Sequence, residues 1–366
     1  MNSRRVMDYR SRQQRLAEAL HERKLDGLLV THLPNIRYLC GFTGSSAVLA
    51  ITEGRSAFFT DGRYTGQARE QVEGVPVRIV KGNPLAGAAG WLKAGRGRRL
   101  GVEAEHMTLE QRALFSGLLH SRMRLRPVSA LVERLRAVKD ADEVRRIRAA
   151  VALASSLFTP LLKRIRAGMR ESEVAADLEY AARRGGAAGM AFETIVASGA
   201  RAALPHGVAS SQPIVNKGFI VIDFGVILAG YCSDMTRTVH MGRPGARARG
   251  IYQAVLEAQQ AAVAAVGPGA ATGEVDHAAR KVLAKAGLGR YFTHSTGHGV
   301  GLEIHEAPRL AKGLRERLLP GMVVTVEPGV YLPGKGGVRI EDMVLVTGKG
   351  CEVLTPTPRE LIELAG

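Results

Sequence analysis

The chain has 366 residues, 46% of them apolar and 23% charged, the balance of a water-soluble globular protein and enough length for two cores rather than one. Its three cysteines, Cys40, Cys232 and Cys351, form no CxxC pair and cannot all pair with one another, so a disulfide framework is excluded and a reducing cytoplasm is the expected home. The formal net charge is +17, of which residues 1–140 supply +11 (24 Lys/Arg against 13 Asp/Glu).

In chain order, the opening Met1-Asn2-Ser3-Arg4-Arg5-Val6-Met7-Asp8 is basic but has no apolar stretch behind it, so no secretory signal is expected. No run of about 18 apolar residues follows anywhere, so no membrane span is expected either. Residues 11–24 predict an amphipathic helix with Leu16, Leu20 and Leu25 on one side, and Gly27-Leu28-Leu29-Val30 a buried strand. Strands are predicted at 47–51, 57–59 and 75–80, alternating with helices near 65–73 and 109–120, which reads as an α/β unit. The basic clusters Arg96-Gly97-Arg98-Arg99 and Arg122-Met123-Arg124-Leu125-Arg126 fall in this half. With aromatics at 5% and none interleaved with them, they read as a solvated arginine-rich surface, and no nucleic-acid partner is expected.

A domain boundary is expected between 132 and 138, separating residues 1–132 from 138–366. Ala141-Asp142-Glu143-Val144 opens a long helix to about Ile165; further helices are predicted from Leu256 to Val266 and from Gly273 to Lys285. Between and after them lie two apolar hairpins that each carry two acids. Asp223 interrupts Phe219-Ile220-Val221-Ile222, and a turn near Ala229-Gly230 would set Asp234 beside it. Glu327 follows Met322-Val323-Val324-Thr325-Val326 and is symmetric with Glu341 about Gly334, inside the turn-forming run Pro333-Gly334-Lys335-Gly336-Gly337. An unpaired carboxylate in a buried strand costs several kcal/mol. These four acids, with His298 of Gly297-His298-Gly299, therefore suit two hard divalent cations sharing a water. The neighbouring glycine-rich strings are neither GxGxxG nor Walker loops, and His305-Glu306 lacks the second histidine of a zincin helix.

Taken together, Pro205-His206-Gly207, the Asp223/Asp234 pair, Gly297-His298-Gly299-Val300-Gly301-Leu302-Glu303-Ile304-His305-Glu306, Val326-Glu327-Pro328-Gly329 and Gly337-Val338-Arg339-Ile340-Glu341-Asp342 resemble the pita-bread metallopeptidases. Within that group the chain is most similar to Xaa-Pro aminopeptidases and prolidases. Gly41-Phe42-Thr43-Gly44-Ser45-Ser46 and Thr60-Asp61-Gly62-Arg63-Tyr64 extend the resemblance to their amino-terminal domain. The resemblance implies a creatinase/prolidase-like α/β domain followed by a pita-bread catalytic domain with pseudo-two-fold symmetry, and a homodimer whose amino-terminal domain narrows the entrance to the site.

The resemblance assigns Asp223 to one metal and His298 and Glu327 to the other, with Asp234 and Glu341 bridging both. With one imidazole among five ligands, two Mn(II) ions are expected, with Co(II), Zn(II) or Fe(II) as alternatives. The shared water would supply hydroxide at neutral pH to attack the carbonyl before proline, with Glu327 handling its proton. The resemblance also makes His206 and His305 the catalytic pair that stabilises the tetrahedral intermediate and positions the scissile peptide. Arg339, two residues from Glu341 on a strand, would neutralise the acids from behind. His294 and Arg309 are candidate substrate-binding residues, Arg309 for a substrate carboxylate. The Thr60–Tyr64 region favours an Xaa-Pro aminopeptidase acting on proline-containing peptides; a prolidase confined to dipeptides is the alternative. A binding protein on the same fold, or a creatinase-like amidinohydrolase working without metal, fits poorly because all five ligand positions are intact.

Overall fold

The computed structural model describes residues 7–93 and 98–365; the first six residues and Arg96-Gly97 of the basic cluster lie outside the described residues. The chain divides into two compact units, Met1–Arg136 and Ala137–Gly366. Among the described residues, no helix is long and apolar enough to cross a membrane.

The amino-terminal unit is built on a six-stranded sheet with the spatial order Val77–Val80, Arg55–Asp61, Val48–Thr52, Gly27–Val30, Arg99–Glu103, Arg124–Val128. Gly27–Val30 pairs antiparallel with Val48–Thr52 and parallel with Arg99–Glu103, so the sheet is mixed. The predicted helix is present as Tyr9–Glu22, with Asp8 accepting from the Ser11 N–H at its amino end. It buries Leu16 and Leu20, while Leu25 falls beyond its end. Three described helices up to Ala137 escaped the sequence reading, as did Glu171–Arg184 further on. Leu33–Cys40 and Leu131–Ala137 are too short to display a period, and Pro84–Lys93 carries two glycines that lower its helical propensity.

The carboxy-terminal unit repeats one pattern twice. Helices Ala141–Leu162 and Glu171–Arg184 precede a strand pair, Gly218–Phe224 with Met235–Met241; helices Ala246–Ala265 and Thr272–Lys285 precede another, Val323–Val326 with Asp342–Val346. Each helix pair covers its own sheet through a separate apolar cluster. One centres on Phe158, Leu178, Ile220 and Phe224, the other on Val255, Val275, Val324 and Val344. This is the pita-bread arrangement with its internal two-fold. Helix Ala246–Ala265 starts ten residues before the expected Leu256, because its first turns are arginine-rich and contain Gly250, which hides the apolar period.

Candidate metal centre and active site

Both acid-bearing hairpins are broken ladders, and the acids sit at the breaks. In the first, strand pairing runs from Met241↔Gly218 to Met235↔Phe224, lapses, and resumes at Cys232↔Ile227 and Tyr231↔Leu228. The turn residues Ala229 and Gly230 both have positive φ, at 49° and 85°, as a two-residue type I′ turn requires. This turn places Thr236, not Asp234, opposite Asp223. The two aspartates are therefore diagonal rather than side by side, a correction of one residue in the centre of the hairpin. At the lapse a Cβ on Gly225 would lie 1.9 Å from the Ser233 carbonyl oxygen, so only glycine fits between the aspartates. In the second hairpin the pairs Val326↔Asp342 and Gly329↔Arg339 enclose Glu327 and Glu341, which face each other across the gap as the symmetry about Gly334 predicts.

His298 enters between these hairpins on a short strand, Gly297–Gly299, flanked by Glu306–Leu310 and Val323–Val326. A Cβ on Gly297 would lie 2.0 Å from the Thr325 oxygen and one on Gly299 2.2 Å from the Ala307 oxygen, which explains the Gly-His-Gly sequence. The His298 Nδ1 faces the Gly299 carbonyl at 3.1 Å, and a carbonyl only accepts, so the ring proton sits there. Nε2 keeps its lone pair and points at the acids, 3.5 Å from Glu327 Oε1 and 3.6 Å from Asp234 Oδ2.

Asp234, His298 and Glu341 each present a ligand atom within 4.8 Å of one another. Burial first, then the charges of Glu341, Asp223 and Glu327, holds the Asp234 carboxyl well above the usual range. Burial and the neighbouring Glu327 and Asp223 do the same to Glu341, and burial pushes Glu327 up to about 8. Burial pushes His298 down to about 4. Acids that resist ionisation beside an imidazole that resists protonation make a donor set that a cation would satisfy and a proton does not. Asp223 adds a second sign: Oδ2 is 2.6 Å from Arg339 Nη2, while Oδ1 is buried with no hydrogen-bond partner. The residues fit divalent metal.

All ten candidate residues line one cavity of about 620 Å³: His206, Asp223, Asp234, His294, His298, His305, Arg309, Glu327, Arg339 and Glu341. A cavity of similar size, about 630 Å³, lies in the amino-terminal unit around Asp26, Arg98 and Arg99. There Asp26 is already satisfied by the Arg98 and Arg99 N–H groups and the Arg99 guanidinium, and no ligand-type cluster occurs there among the described residues. The chemistry belongs to the first.

Arg339 is buried, not a surface ion-pair partner. Besides Asp223 its guanidinium reaches the Pro205 carbonyl at 3.0 Å, Tyr331 Oη at 2.6 Å and Thr236 Oγ1 at 3.0 Å. Burial opposes its charge, but Tyr331, Asp223, Glu327 and Glu341 outweigh this and raise its pKa. His294 is the end of that chain. Its Nδ1 faces the Ser295 carbonyl, so Nε2 accepts from Tyr331 Oη at 2.8 Å, and burial pushes it down to about 4. Both of its nitrogens are engaged within the protein, which leaves it lining the cavity as a neutral brace. His206 and His305 are exposed, with the His305 ring 4.3 Å from that of His298; partial desolvation, then the neighbouring His206, lowers the pKa of His305.

Four residues were not foreseen. Thr236 donates to Glu341 Oε2 at 2.7 Å, Thr325 approaches Glu327 Oε1 at 3.3 Å and accepts from the His298 N–H, Tyr331 links Arg339 to His294, and Glu306 shares the cavity. The two threonines stand on strands two residues from a ligand just beyond the strand's end, the spacing that shares a face in extended chain, and that signal was available in the sequence.

Known proteins bear on the same residues. Residues 145–348 match the model of metallopeptidase family M24, and residues 12–138 that of the creatinase/prolidase N-terminal domain. An Xaa-Pro dipeptidase of Pyrococcus horikoshii is 36% identical over 95% of this chain and 97% of its own. The structure of an Xaa-Pro dipeptidase from Bacillus anthracis superposes with a TM-score of 0.95 at 42% identity, covering 98% of this chain and all of that one. An X-Pro aminopeptidase from Thermotoga maritima gives 0.87 at 37%, covering 94% and 99%. With a family model spanning both acid hairpins and relatives aligned from end to end, this chain belongs to metallopeptidase family M24.

Proposed function

We propose that the protein is an Xaa-Pro dipeptidase, cleaving the bond between an amino-terminal residue and a carboxy-terminal proline. This exchanges the two readings that the sequence suggested. The Thr60–Tyr64 region that favoured the aminopeptidase has a local use: Asp61 caps the short helix Gly62–Tyr64 and pairs with Arg63, and Tyr64 Oη meets Ser45 Oγ at 2.6 Å. Motifs spent on local structure do not discriminate between substrates. The relatives named as dipeptidases weigh the other way.

One observation carries the reading. Arg309 lies directly opposite His298 in the strand pair, so both side chains share a face and line the same cavity. Arg309 is exposed and engaged by none of the ion pairs among the described residues. A proline carboxylate lies one residue beyond the scissile bond, a span of about 3.8 Å between Cα atoms, and the guanidinium fork suits it. In a longer peptide that carboxylate is an amide and the pairing is lost.

Two divalent ions, expected to be Mn(II), would be held by Asp223, Asp234, His298, Glu327 and Glu341, and when bound would lower the pKa of a water and polarise the carbonyl. The protein's own groups do the rest. Glu327 takes a proton from the attacking water and returns it to the proline nitrogen as the C–N bond breaks. That nitrogen carries no hydrogen in the peptide, so it must receive one to leave. His305, whose pKa is lowered by partial desolvation and by the neighbouring His206, offers one N–H to the developing oxyanion, and His206 faces the same cavity. A homodimer forms part of this reading.

The test is an Xaa-Pro dipeptide beside an Xaa-Pro-Yaa tripeptide on Mn-loaded protein, with Arg309→Met. The dipeptide should be the better substrate, and the substitution should raise its KM by roughly 10-fold or more, the scale of a lost charged hydrogen bond, while leaving the tripeptide unchanged. A faster tripeptide with an indifferent Arg309→Met would make the chain an aminopeptidase.

A further inference from the structure

Lys139 takes no part in the chemistry above, yet it is a buried cation in the unit that holds the site. Its side chain is 1% exposed and its Nζ lies 3.2 Å from Glu306 Oε2, whose side chain is 4% exposed. The remaining bond of Nζ goes to the Ala137 carbonyl, also 3.2 Å away, and the Lys139 backbone is pinned by its N–H to the Gly321 carbonyl. Burying two charges costs more in lost hydration than most pairs return, so such a pair is a poor device for stability alone.

Its location suggests what it is for. Glu306 follows His305 directly and opens the strand Glu306–Leu310, while residues 300–305 form an irregular excursion after a register shift at His298/Gly299. Few bonds hold that excursion. Gly301 accepts from the Cys232 N–H and donates to the Glu303 carbonyl, and Glu303 donates its N–H to Glu306 Oε1 at 3.0 Å. The Glu306 carboxylate thus ties the loop to itself with one oxygen and to Lys139 with the other. It passes so close to Gly301 that a Cβ there would lie 2.6 Å from Oε2. Glu306 also lines the active-site cavity.

We propose that Lys139 is a positioning residue for His305, acting through Glu306: the buried pair fixes the loop whose last residue presents the imidazole to the substrate. This rests on the peptidase reading and on the role given there to His305. An imidazole must be held within about 0.5 Å of its productive place to be effective, and the Lys139–Glu306 pair is buried directly beside it in sequence.

The experiment uses the full-length, Mn-loaded protein and an Xaa-Pro dipeptide. Lys139→Met/Glu306→Gln removes both charges, strands neither, and keeps an acceptor for the Glu303 N–H. It should lower kcat by about 10- to 100-fold, the range for a lost supporting contact, with KM within about 2-fold and metal content unchanged. In a His305→Ala background the same pair of substitutions should cost less than about 2-fold, because there is no imidazole left to misplace. Equal losses in both backgrounds, or undiminished kcat in the parent, would overturn the proposal. Nuclear magnetic resonance of the histidine rings in zinc-loaded protein gives a readout independent of turnover. The His305 signal, assigned by its absence in His305→Ala, should shift or broaden in the double variant while that of His206 does not. An unsubstituted protein that cleaves neither peptide defeats the peptidase reading alone, and the ring signals then decide the positioning role: an unmoved His305 overturns it.

Discussion

The two acid-bearing hairpins do the same work with different geometry and different compensation. In the first, a two-residue turn centred between Ala229 and Gly230 sets Asp223 and Asp234 on a diagonal. In the second, a longer turn about Gly334 sets Glu327 and Glu341 face to face. The shorter side chains occupy the staggered hairpin and the longer ones the opposed hairpin, so reach and register are matched. Compensation crosses between them. Arg339 of the second hairpin pairs with Asp223 of the first, and Thr236 of the first donates to Glu341 of the second. The two are also laced by backbone: the Glu341 N–H donates to the Thr236 carbonyl, and Thr238 Oγ1 exchanges hydrogen bonds with the Arg339 main chain. Neither half of the cage is complete without the other. Within it Asp223 is bonded to a guanidinium, whereas Glu341 and Glu327 take hydroxyl partners, Thr236 and Thr325.

The harshest way to break this comparison is to remove an inner acid from either side. Asp234→Ala and Glu341→Ala should each lower the metal content of Mn-loaded protein from about two ions per chain to near zero and abolish peptidase activity, since in the proposed ligand set these two residues would serve both ions and binding depends on the full set. Elemental analysis of the purified variants measures this. Two retained ions in either variant would mean that the hairpins hold metal independently.

Next in size is the guanidinium. Arg339→Met leaves Asp223 as an uncompensated buried charge, and breaking one side of such a pair costs about 3–5 kcal/mol. In metal-stripped protein this should appear as a drop in unfolding temperature of roughly 6–20 °C for a unit of this size. Mn(II) should recover much of it, because the ions replace the missing positive charge. Arg339→Lys should recover less, having no fork to span Asp223, Tyr331 and Thr236. Equal destabilisation with and without metal would show that Arg339 acts by packing alone.

How much of this was visible in the sequence follows from range. The acids announced themselves because Asp223 and Glu327 interrupt apolar strands, and the glycine-rich turn about Gly334 fixed the second register. The first turn was placed correctly near Ala229-Gly230, but its register was off by one residue at the centre, because Ala229, a residue with a Cβ, adopts positive φ where Asn or Gly would have marked both central positions of a type I′ turn. The Lys139–Glu306 pair spans 167 positions, and the link from Arg339 through Tyr331 to His294 depends on tertiary placement of three separate motifs. No periodicity encodes such contacts. Arg309 could be picked out in the sequence for a substrate carboxylate, but its place opposite His298 on one face of a strand pair could not, because that depends on strand pairing.

A smaller effect separates the acids from the histidines by pH. Glu327, pushed up to about 8 by burial, together with the raised Asp234 and Glu341, binds protons more readily in the folded metal-free protein than unfolded. The stability Glu327 lends is fully present below about pH 4.5 and is lost as pH rises through about 8, and the raised Asp234 and Glu341 act in the same direction. His294 and His298, pushed down to about 4, act oppositely, but their contribution is complete above about pH 6.5. Between pH 6.5 and 8 only the acids remain, so metal-stripped protein should lose about 2 kcal/mol from Glu327 alone across that window. Denaturant titrations at several pH values measure it. Mn(II) should flatten or reverse the slope, since cations compete with protons for the same oxygens.

The gentlest change tests whether the hydroxyls matter as the guanidinium does. Thr236 Oγ1 accepts from Arg339 Nε and donates to Glu341 Oε2, so one hydroxyl joins the compensated and the hydroxyl-supported acids. Thr236→Val keeps the shape and the β-branch but removes both bonds. It removes the hydroxyl that holds Glu341 in place, in a site where under the proposed ligand set its angle would decide whether both ions are reached. The lost hydrogen bonds are worth about 1–3 kcal/mol. The functional cost should be concentrated in metal affinity, which ought to weaken about 10- to 100-fold, as for other residues that orient ligands. Activity at saturating Mn(II) should return close to the parent value. If affinity is unchanged while kcat falls, Thr236 orients something other than Glu341, and the two halves of the cage are less interdependent than their shared hydrogen bonds imply.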